Sequence, residues 1–533
     1  MHAAQVMNLS RLLAQTARLF PGHTALIQGT QRCSWAEMDA RVDAMVAALR
    51  ALGLKKGDRI LLQSSNNLAM FESAWVAFRL GCVWVPTNFR LTPSEVAYLG
   101  SSSECAAMVY EAGFEAHVDA VRAAWPGLRE VVCIGGTPRA GEHGYEALVT
   151  AHAGERPEEA QVEADDPLWF FYTSGTTGRP KAAILTHAQM AFVVTNHLAD
   201  LIPGTTERDC SLAVAPLSHG AGIHALLNVA RGAATVLLEG EKLDPAQCWA
   251  LIEQHRVSNL FTVPTIVKML VEHPAVDRHD HSSLRYLIYA GAPMYRSDQR
   301  LALQKLGPVL VQYFGLGEVT GCITVLPPHL HSADDADPNA HIGSCGRPRT
   351  GMEVAILDPE GRPLPAGTVG EICCRGPAVF AGYHRNPEAS AKALRGGWFH
   401  TGDLGRLDDQ GLLYITGRES DMYISGGSNV YPRECEELLL EHPGVAEVAV
   451  LGVPDAKWGE VGVAVVVRRP GQPEVDAEAL LAHIDGRLAR YRWPRQFFFW
   501  SALPKSGYGK ITKQEVRRML HERGEIVPPD MVK

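Results

Sequence analysis

Short apolar runs alternate with helix-like stretches through the first two thirds of the chain. Arg59–Gln63 (RILLQ) reads as a buried strand, Phe71–Leu80 as a helix and Cys82–Pro86 as the next strand. Thr92-Pro93-Ser94-Glu95 forms a capping box, with a Thr N-cap, Pro at the first helical position and Glu three residues after the Thr. The same rhythm returns at Cys210–Val214, Thr235–Leu238, Leu260–Val263 and Leu284–Tyr289. Strands that alternate with helices predict βαβ units and parallel sheets. From about residue 340 the pattern shifts to short strands between Gly/Pro turns: Val354–Leu357, Gly370–Arg375 and Gly411–Ile415. These predict a small antiparallel sheet or distorted barrel. After Arg418 come a helix (Pro432–Glu441), two strands (Ala446–Val453 and Val461–Arg468) and another helix (Ala477–Leu488), a compact α+β unit. The expected fold is therefore α/β. A large N-terminal domain of parallel βαβ subdomains plus a small distorted barrel precedes a small mobile α+β domain. The boundary is expected at Ser420, as a hinge between residues 1–419 and 420–533.

Composition narrows the function classes. The formal net charge is -9 over 533 residues and no basic tract is present, so nucleic acid has no electrostatic footing. The most apolar runs, such as Val463–Val467, are too short to span a bilayer. The N-terminal stretch lacks a signal-peptide core and reads instead as an amphipathic helix carrying Leu9, Leu12, Leu13 and Phe20. The expected compartment is the cytoplasm. Eleven cysteines, none in a C-x-x-C pair, are expected to be reduced and buried. His279 with His281 and His329 with His331 lie in loop-like stretches and are expected at the surface.

Residues Tyr172–Lys181 read YTSGTTGRPK, directly after the apolar run Leu168–Phe171. Hydroxyls at Thr173, Ser174, Thr176 and Thr177, glycines at 175 and 178 and the ammonium of Lys181 suit a polyphosphate. The Walker spacing is not met, and no G-x-S-x-G nucleophile elbow is present.

This stretch resembles the phosphate signature of the acyl-adenylate-forming superfamily, which includes acyl-CoA synthetases, luciferases and peptide-synthetase adenylation domains. Further segments resemble that family in the same order. Pro216-Leu217-Ser218-His219-Gly220 is similar to its acyl-pocket segment, and His219, Gly220, Ala221 and Gly222 would line the pocket with Gly291 and Gly315. Tyr289-Ala290-Gly291-Ala292-Pro293 resembles the adenine-stacking loop. Phe314-Gly315-Leu316-Gly317-Glu318 resembles the YGxTE signature; Phe314 and Gly315 would meet adenine and Glu318 would hold Mg²⁺, while Gly317 departs from a Thr. Asp403 in WFHTGD would accept both ribose hydroxyls, and Arg418 would contact ribose or phosphate. Ser420 stands at the hinge, where Asp or Lys is usual. Ser425, Gly426 and Gly427 would line a coenzyme A tunnel, and Lys510 resembles the mobile lysine of the adenylation step.

The resemblance implies ATP, Mg²⁺ and coenzyme A, with Lys510, Glu318 and Thr173 as the catalytic set. The expected reaction is a carboxylic acid plus ATP to acyl-AMP, then to acyl-CoA, with domain alternation between the steps. A fatty or aromatic acid is expected, because the pocket candidates are small or apolar with no obvious second cation. A homodimer follows from the resemblance alone. Three alternatives stay open. One is an acyl-AMP ligase that loads a carrier protein, disfavoured because no carrier domain is expected beyond Lys533. The others are a catalytically dead nucleotide-binding regulator, and a luciferase-like oxygenase.

Overall fold

The computed structural model describes residues 6–173, 179–240, 242–292, 294–337, 340–418, 420–505 and 511–526. Two large sheets dominate the first part of the chain. The seven-stranded sheet runs in the order His143–Gly144, Glu130–Ile134, Ala107–Glu111, Arg59–Gln63, Val83–Pro86, Pro167–Thr173 and Lys181–Thr186. All its neighbours are parallel except the last pair, which is antiparallel. The nine-stranded sheet has a parallel centre formed by Thr24–Gln28, Ala234–Leu237, Cys210–Ala213, Asn259–Thr262, Tyr286–Tyr289 and Leu310–Phe314.

Most predicted strands appear within a residue or two of the expected bounds; the one read as Gly411–Ile415 runs from Leu413 to Arg418. The helix read from Phe71 begins earlier, at Leu68, because the Asn67 side chain accepts from the Met70 N–H and caps it. Thr92 and Glu95 form the expected reciprocal capping box. The helix read as Ala477–Leu488 stops at Ile484, just before Gly486, which takes φ +74°. The N-terminal amphipathic helix is Arg11–Leu19, with Leu13, Thr16 and Ala17 on its buried side.

One continuous core joins the two sheets through the helices Trp35–Ala51, Leu68–Leu80, His187–Asp200 and Gly220–Arg231. Trp84 and Trp169, on neighbouring parallel strands, meet edge to face with ring centroids 4.4 Å apart. Such packing explains why these strands read as unbroken apolar runs: both faces are covered.

A third sheet is antiparallel and four-stranded: Glu353–Leu357, Gly370–Arg375, Phe399–Leu407 and Leu413–Arg418. A fourth pairs Val445–Asp455 with Gly459–Arg468, and adds Tyr423–Ser425, Ser428–Val430 and Gln496–Trp500. Helix Pro432–Leu440 packs on it, and Arg433 reaches back to donate to the Ile415 carbonyl at 3.2 Å. All eleven cysteines are buried and free. No helix among the described residues is long and apolar enough to cross a membrane.

Trp169 is fully buried where the two central elements meet. Replacing it with Ala is expected to cost about 3–5 kcal/mol through lost transfer energy and a residual cavity. Urea unfolding followed by circular dichroism measures this; a loss under about 1 kcal/mol would show that the site collapses around the deletion.

Candidate active site

The strand Pro167–Thr173 delivers Thr173 at its end, just before the segment 174–178. Ser174, Gly175, Thr176, Thr177 and Gly178 lie outside the described residues, as do Pro293 and Lys510. What is described forms a close group around Glu318. Thr173 Oγ1 donates to Glu318 Oε1 at 2.9 Å, and the Tyr383 hydroxyl donates to the same oxygen at 2.9 Å. The Glu318 backbone carbonyl accepts from the Phe380 N–H at 2.8 Å. Glu318 is only 4% exposed, and its second oxygen, Oε2, is buried with no hydrogen-bond partner among the described residues. A buried carboxylate oxygen left bare is costly unless something binds it. Lys181 opens the next strand, and its ammonium lies 5.2 Å from the centroid of the Tyr383 ring. Burial, then the neighbouring Glu318, push the Tyr383 phenol well above its ordinary pKa, so it stays a donor.

Gly317 has a steric reason. A Cβ there would come within 2.6 Å of the Phe171 ring and 2.7 Å of the Thr173 methyl. Phe171 in turn lies against His219, with ring centroids 4.3 Å apart. The space that a side chain at 317 would use is filled by Phe171.

His219 occupies the N-cap position of the helix Gly220–Arg231. Gly220 lies against Phe261, whose ring a Cβ would meet at 2.6 Å, and Phe261 stacks on Tyr313 at 5.7 Å. At Gly222 a Cβ would sit 2.0 Å from the Leu217 carbonyl oxygen, so only glycine closes this turn. A Cβ at Gly315 would come within 2.5 Å of the Gly321 backbone. Ala221 is buried beside them, while Phe314 is partly buried and Gly291 takes φ +83° at an exposed turn followed by Ala292. Asn66 clamps the segment 215–217 from the other sheet: it donates to the Ala215 carbonyl and accepts from the Leu217 N–H, both at 2.9 Å.

Asp403 and Arg418 are cross-strand partners, with Arg418 Nε 3.2 Å from Asp403 Oδ1. Asp403 is 5% exposed, whereas half of the Arg418 side chain faces solvent. Glu371 braces the bend before Asp403: it accepts from the Gly402 N–H at 3.2 Å and pairs with His400 Nδ1 at 2.7 Å. Gly402 takes φ +71° there. Glu371, Cys373 and His400 bring their donor atoms together, and these atoms bond one another.

Ser420 lies at an exposed turn, and Ser425, Gly426 and Gly427 form the tip of the hairpin Tyr423–Val430. The Gly426 N–H donates to the Trp458 carbonyl at 2.9 Å.

Two readings of charge and exposure are corrected. His331 is not a surface histidine: Tyr289 and the Pro327 carbonyl enclose it at 3.1 and 3.0 Å, and burial lowers its pKa to about 4. His279 instead pairs with Glu253, and His281 lies against Trp249. A second cation does stand near the pocket. Arg349 is 1% exposed and donates to the Gly321 carbonyl at 3.3 Å, but its charge is matched by Asp200 at 3.1 Å. Tyr383, Asn66, Phe171, Glu371 and Arg349 were all missed by sequence reading. None carries a local signal, because each acts through a partner distant in the chain.

Gly317→Thr is expected to lower the kcat/KM of adenylation by tenfold or more, on the order of 1.4 kcal/mol, because Phe171 and Thr173 must shift. Pairing it with Phe171→Val is expected to recover part of the loss, since contacting residues couple by about 0.5–3 kcal/mol. Pyrophosphate exchange on the two single variants and the double variant measures this, and strict additivity would sink the steric account.

The family profile described as "AMP-binding enzyme" matches residues 13–384, and that of the "AMP-binding enzyme C-terminal domain" matches residues 434–510. The chain is 37% identical over 504 residues to a feruloyl-CoA synthase of Amycolatopsis sp, covering 94% of this chain and 97% of that one. It is 34% identical over 515 residues to an indoleacetate–CoA ligase of Aromatoleum aromaticum, covering 96% and 98%. Its fold matches the crystal structure of an anthranilate CoA ligase in complex with anthranoyl-AMP, with a TM-score of 0.89, 24% identity and 98% of each chain covered. With this geometry in place, matches to both parts of one profile set and to acid–CoA ligases along nearly the whole chain lead to one conclusion: the chain belongs to the AMP-binding enzyme family, in its acyl-CoA synthetase branch, as an ATP-dependent, AMP-forming acid–CoA ligase.

Proposed function

We propose that this acyl-CoA synthetase activates an aromatic acid, with a fatty acid as the second reading, and that Glu318, Lys181, Asp403, Arg418 and Lys510 carry the nucleotide chemistry. One observation bears most of the weight. Glu318 has one oxygen held by two hydroxyl donors and the other buried and bare. That arrangement fits a hard divalent cation, which takes oxygen ligands. Bound Mg²⁺ would offset negative charge on the phosphate oxygens.

The chain's own residues then divide the work. A carboxylate is a poor acyl donor because its oxygen is a poor leaving group. Its attack on the α-phosphate expels pyrophosphate and spreads negative charge over the phosphoryl oxygens. Lys181, Lys510 and the loop N–H groups at 174–178 would stabilise that charge. Asp403 would accept the ribose hydroxyls, with Arg418 turned toward the nucleotide. A thiolate next displaces AMP from the mixed anhydride. In this proposal residues 1–419 hold the nucleotide and acid while residues 420–533 pivot at Ser420. The pivot brings Lys510 for the first step and Ser425, Gly426 and Gly427 for the second.

The acid class is supported by the walls of the pocket. Phe171 faces His219 and Phe261 stacks on Tyr313, while Gly220 and Gly315 let the Phe261 ring and the Gly321 backbone approach closely. Flat rings suit a flat substrate. The feruloyl and indoleacetate groups in the relatives' names are likewise aromatic. A cytoplasmic location and a homodimer belong to this proposal through the family resemblance.

AMP release from ATP is to be measured with aromatic and aliphatic acids, each with and without coenzyme A. Turnover is expected only with acid and coenzyme A together, with aromatic acids showing the higher kcat/KM. Preference for long aliphatic acids would overturn the aromatic reading. Lys510→Ala is expected to abolish acyl-AMP formation yet spare thioester formation from supplied acyl-AMP. Equal loss of both half-reactions would remove Lys510 from the adenylation step.

A further inference from the structure

Tyr383 is the residue through which the two charged groups at this centre touch. Its hydroxyl donates to Glu318 Oε1, and its ring face carries the Lys181 ammonium 5.2 Å from the centroid. Neither contact is local. Tyr383 lies 65 residues from Glu318, and more than two hundred from Thr173, which shares the same carboxylate oxygen at 2.9 Å.

The surroundings fix the tyrosine firmly. The segment 381–384 lies along the strand Lys181–Thr186 as an added strand: the Ala381 N–H donates to the Ile184 carbonyl at 3.1 Å, the Ile184 N–H to Gly382 at 2.9 Å and the His384 N–H to Ala182 at 2.9 Å. The Tyr383 N–H is held by Ser390 Oγ at 2.8 Å. Phe380, whose own N–H holds the Glu318 carbonyl, packs edge-on against the Tyr383 ring at 4.8 Å. The same short segment therefore anchors the Glu318 backbone, one oxygen of its carboxylate and the strand that carries Lys181.

We propose that Tyr383 is a positioning residue. With Thr173, it saturates Oε1 and so turns the bare Oε2 of Glu318 toward the cation that accompanies ATP, while its ring sets the direction from which Lys181 approaches the phosphates. This rests on the reading of Glu318 as the metal ligand. The physical basis is simple. A carboxylate held by one donor can rotate about its terminal torsion, which is broad. Two donors on one oxygen remove that freedom and leave a single oxygen to offer. The aromatic face attracts an ammonium without neutralising it, so Lys181 keeps its full charge for the nucleotide.

The two roles separate by substitution. Tyr383→Phe keeps the ring, the Phe380 contact and the seat for Lys181 but deletes the hydroxyl. Tyr383→Leu removes both. The test uses the full-length protein with α,β-methylene ATP and Mn²⁺ as a paramagnetic probe, with bound Mn²⁺ read by electron paramagnetic resonance. Thermal unfolding of each variant runs alongside. Tyr383→Phe is expected to weaken Mn²⁺ binding about tenfold, the loss expected of one hydrogen bond to a charged group, with the affinity for the nucleotide analogue in the absence of metal unchanged. Tyr383→Leu is expected to weaken metal-free nucleotide binding as well, by about two- to fivefold, the scale of an exposed cation–π contact. Glu318→Gln serves as the reference and is expected to lose Mn²⁺ binding more severely than either. Wild-type Mn²⁺ affinity in Tyr383→Phe, with Glu318→Gln impaired, overturns the positioning role alone. Wild-type Mn²⁺ affinity in Glu318→Gln overturns the metal-ligand reading, and this inference falls with it.

Discussion

Burying one carboxylate sets the terms for the centre of this molecule. Glu318 is almost fully enclosed, and an isolated buried charge is far too costly to keep without partners. Thr173 comes from one large sheet, Glu318 follows the last parallel strand of the other, and Tyr383 comes from a segment laid along Lys181–Thr186. Three separate parts of the chain must therefore be correctly packed before Oε1 of the carboxylate has its two donors. The site forms only when both sheets and their shared core are in place, which ties its geometry to the stability of the whole N-terminal part.

Close backbone approach is the second constraint, and it explains why glycines crowd this region. Gly222 turns the chain against the Leu217 carbonyl, Gly315 lies on the backbone of Gly321, and Gly317 leaves room for Phe171. Each removes a Cβ that would clash with a neighbouring carbonyl, backbone or ring. Asn66 adds the opposite kind of control, a polar clamp that fixes Ala215 and Leu217 from across the sheet interface. Backbone contact and a side-chain clamp thus fix this region together.

Asp403 and Arg418 are positioned on a different principle. Asp403 stands in an antiparallel pair with Arg418, and the left-handed bend at Gly402 that presents it is held by Glu371. A strand register places acid and base opposite each other without any long-range closure, so this part of the site is less dependent on the core between the large sheets. Phe380 and Phe399, with ring centroids 5.6 Å apart, join the two halves.

The sequence by itself determined the element rhythm and the α/β class, and it carried, in order, the segments that resemble the family's signatures. Those depend on local properties: apolar periodicity, the Thr92 capping box, and clusters such as YTSGTTGRPK in which neighbouring residues act together. It also marked Gly317 as a departure from pattern, but offered no cause. Only the tertiary structure decided what meets what. Phe171 fills the space beside Gly317, Arg349 is neutralised by Asp200, His331 is enclosed by Tyr289, and Tyr383 reaches Glu318. The physical reason is separation along the chain. A buried polar group takes its partner from wherever packing brings a donor, and no local pattern of residues encodes a contact made across 65 or 145 positions.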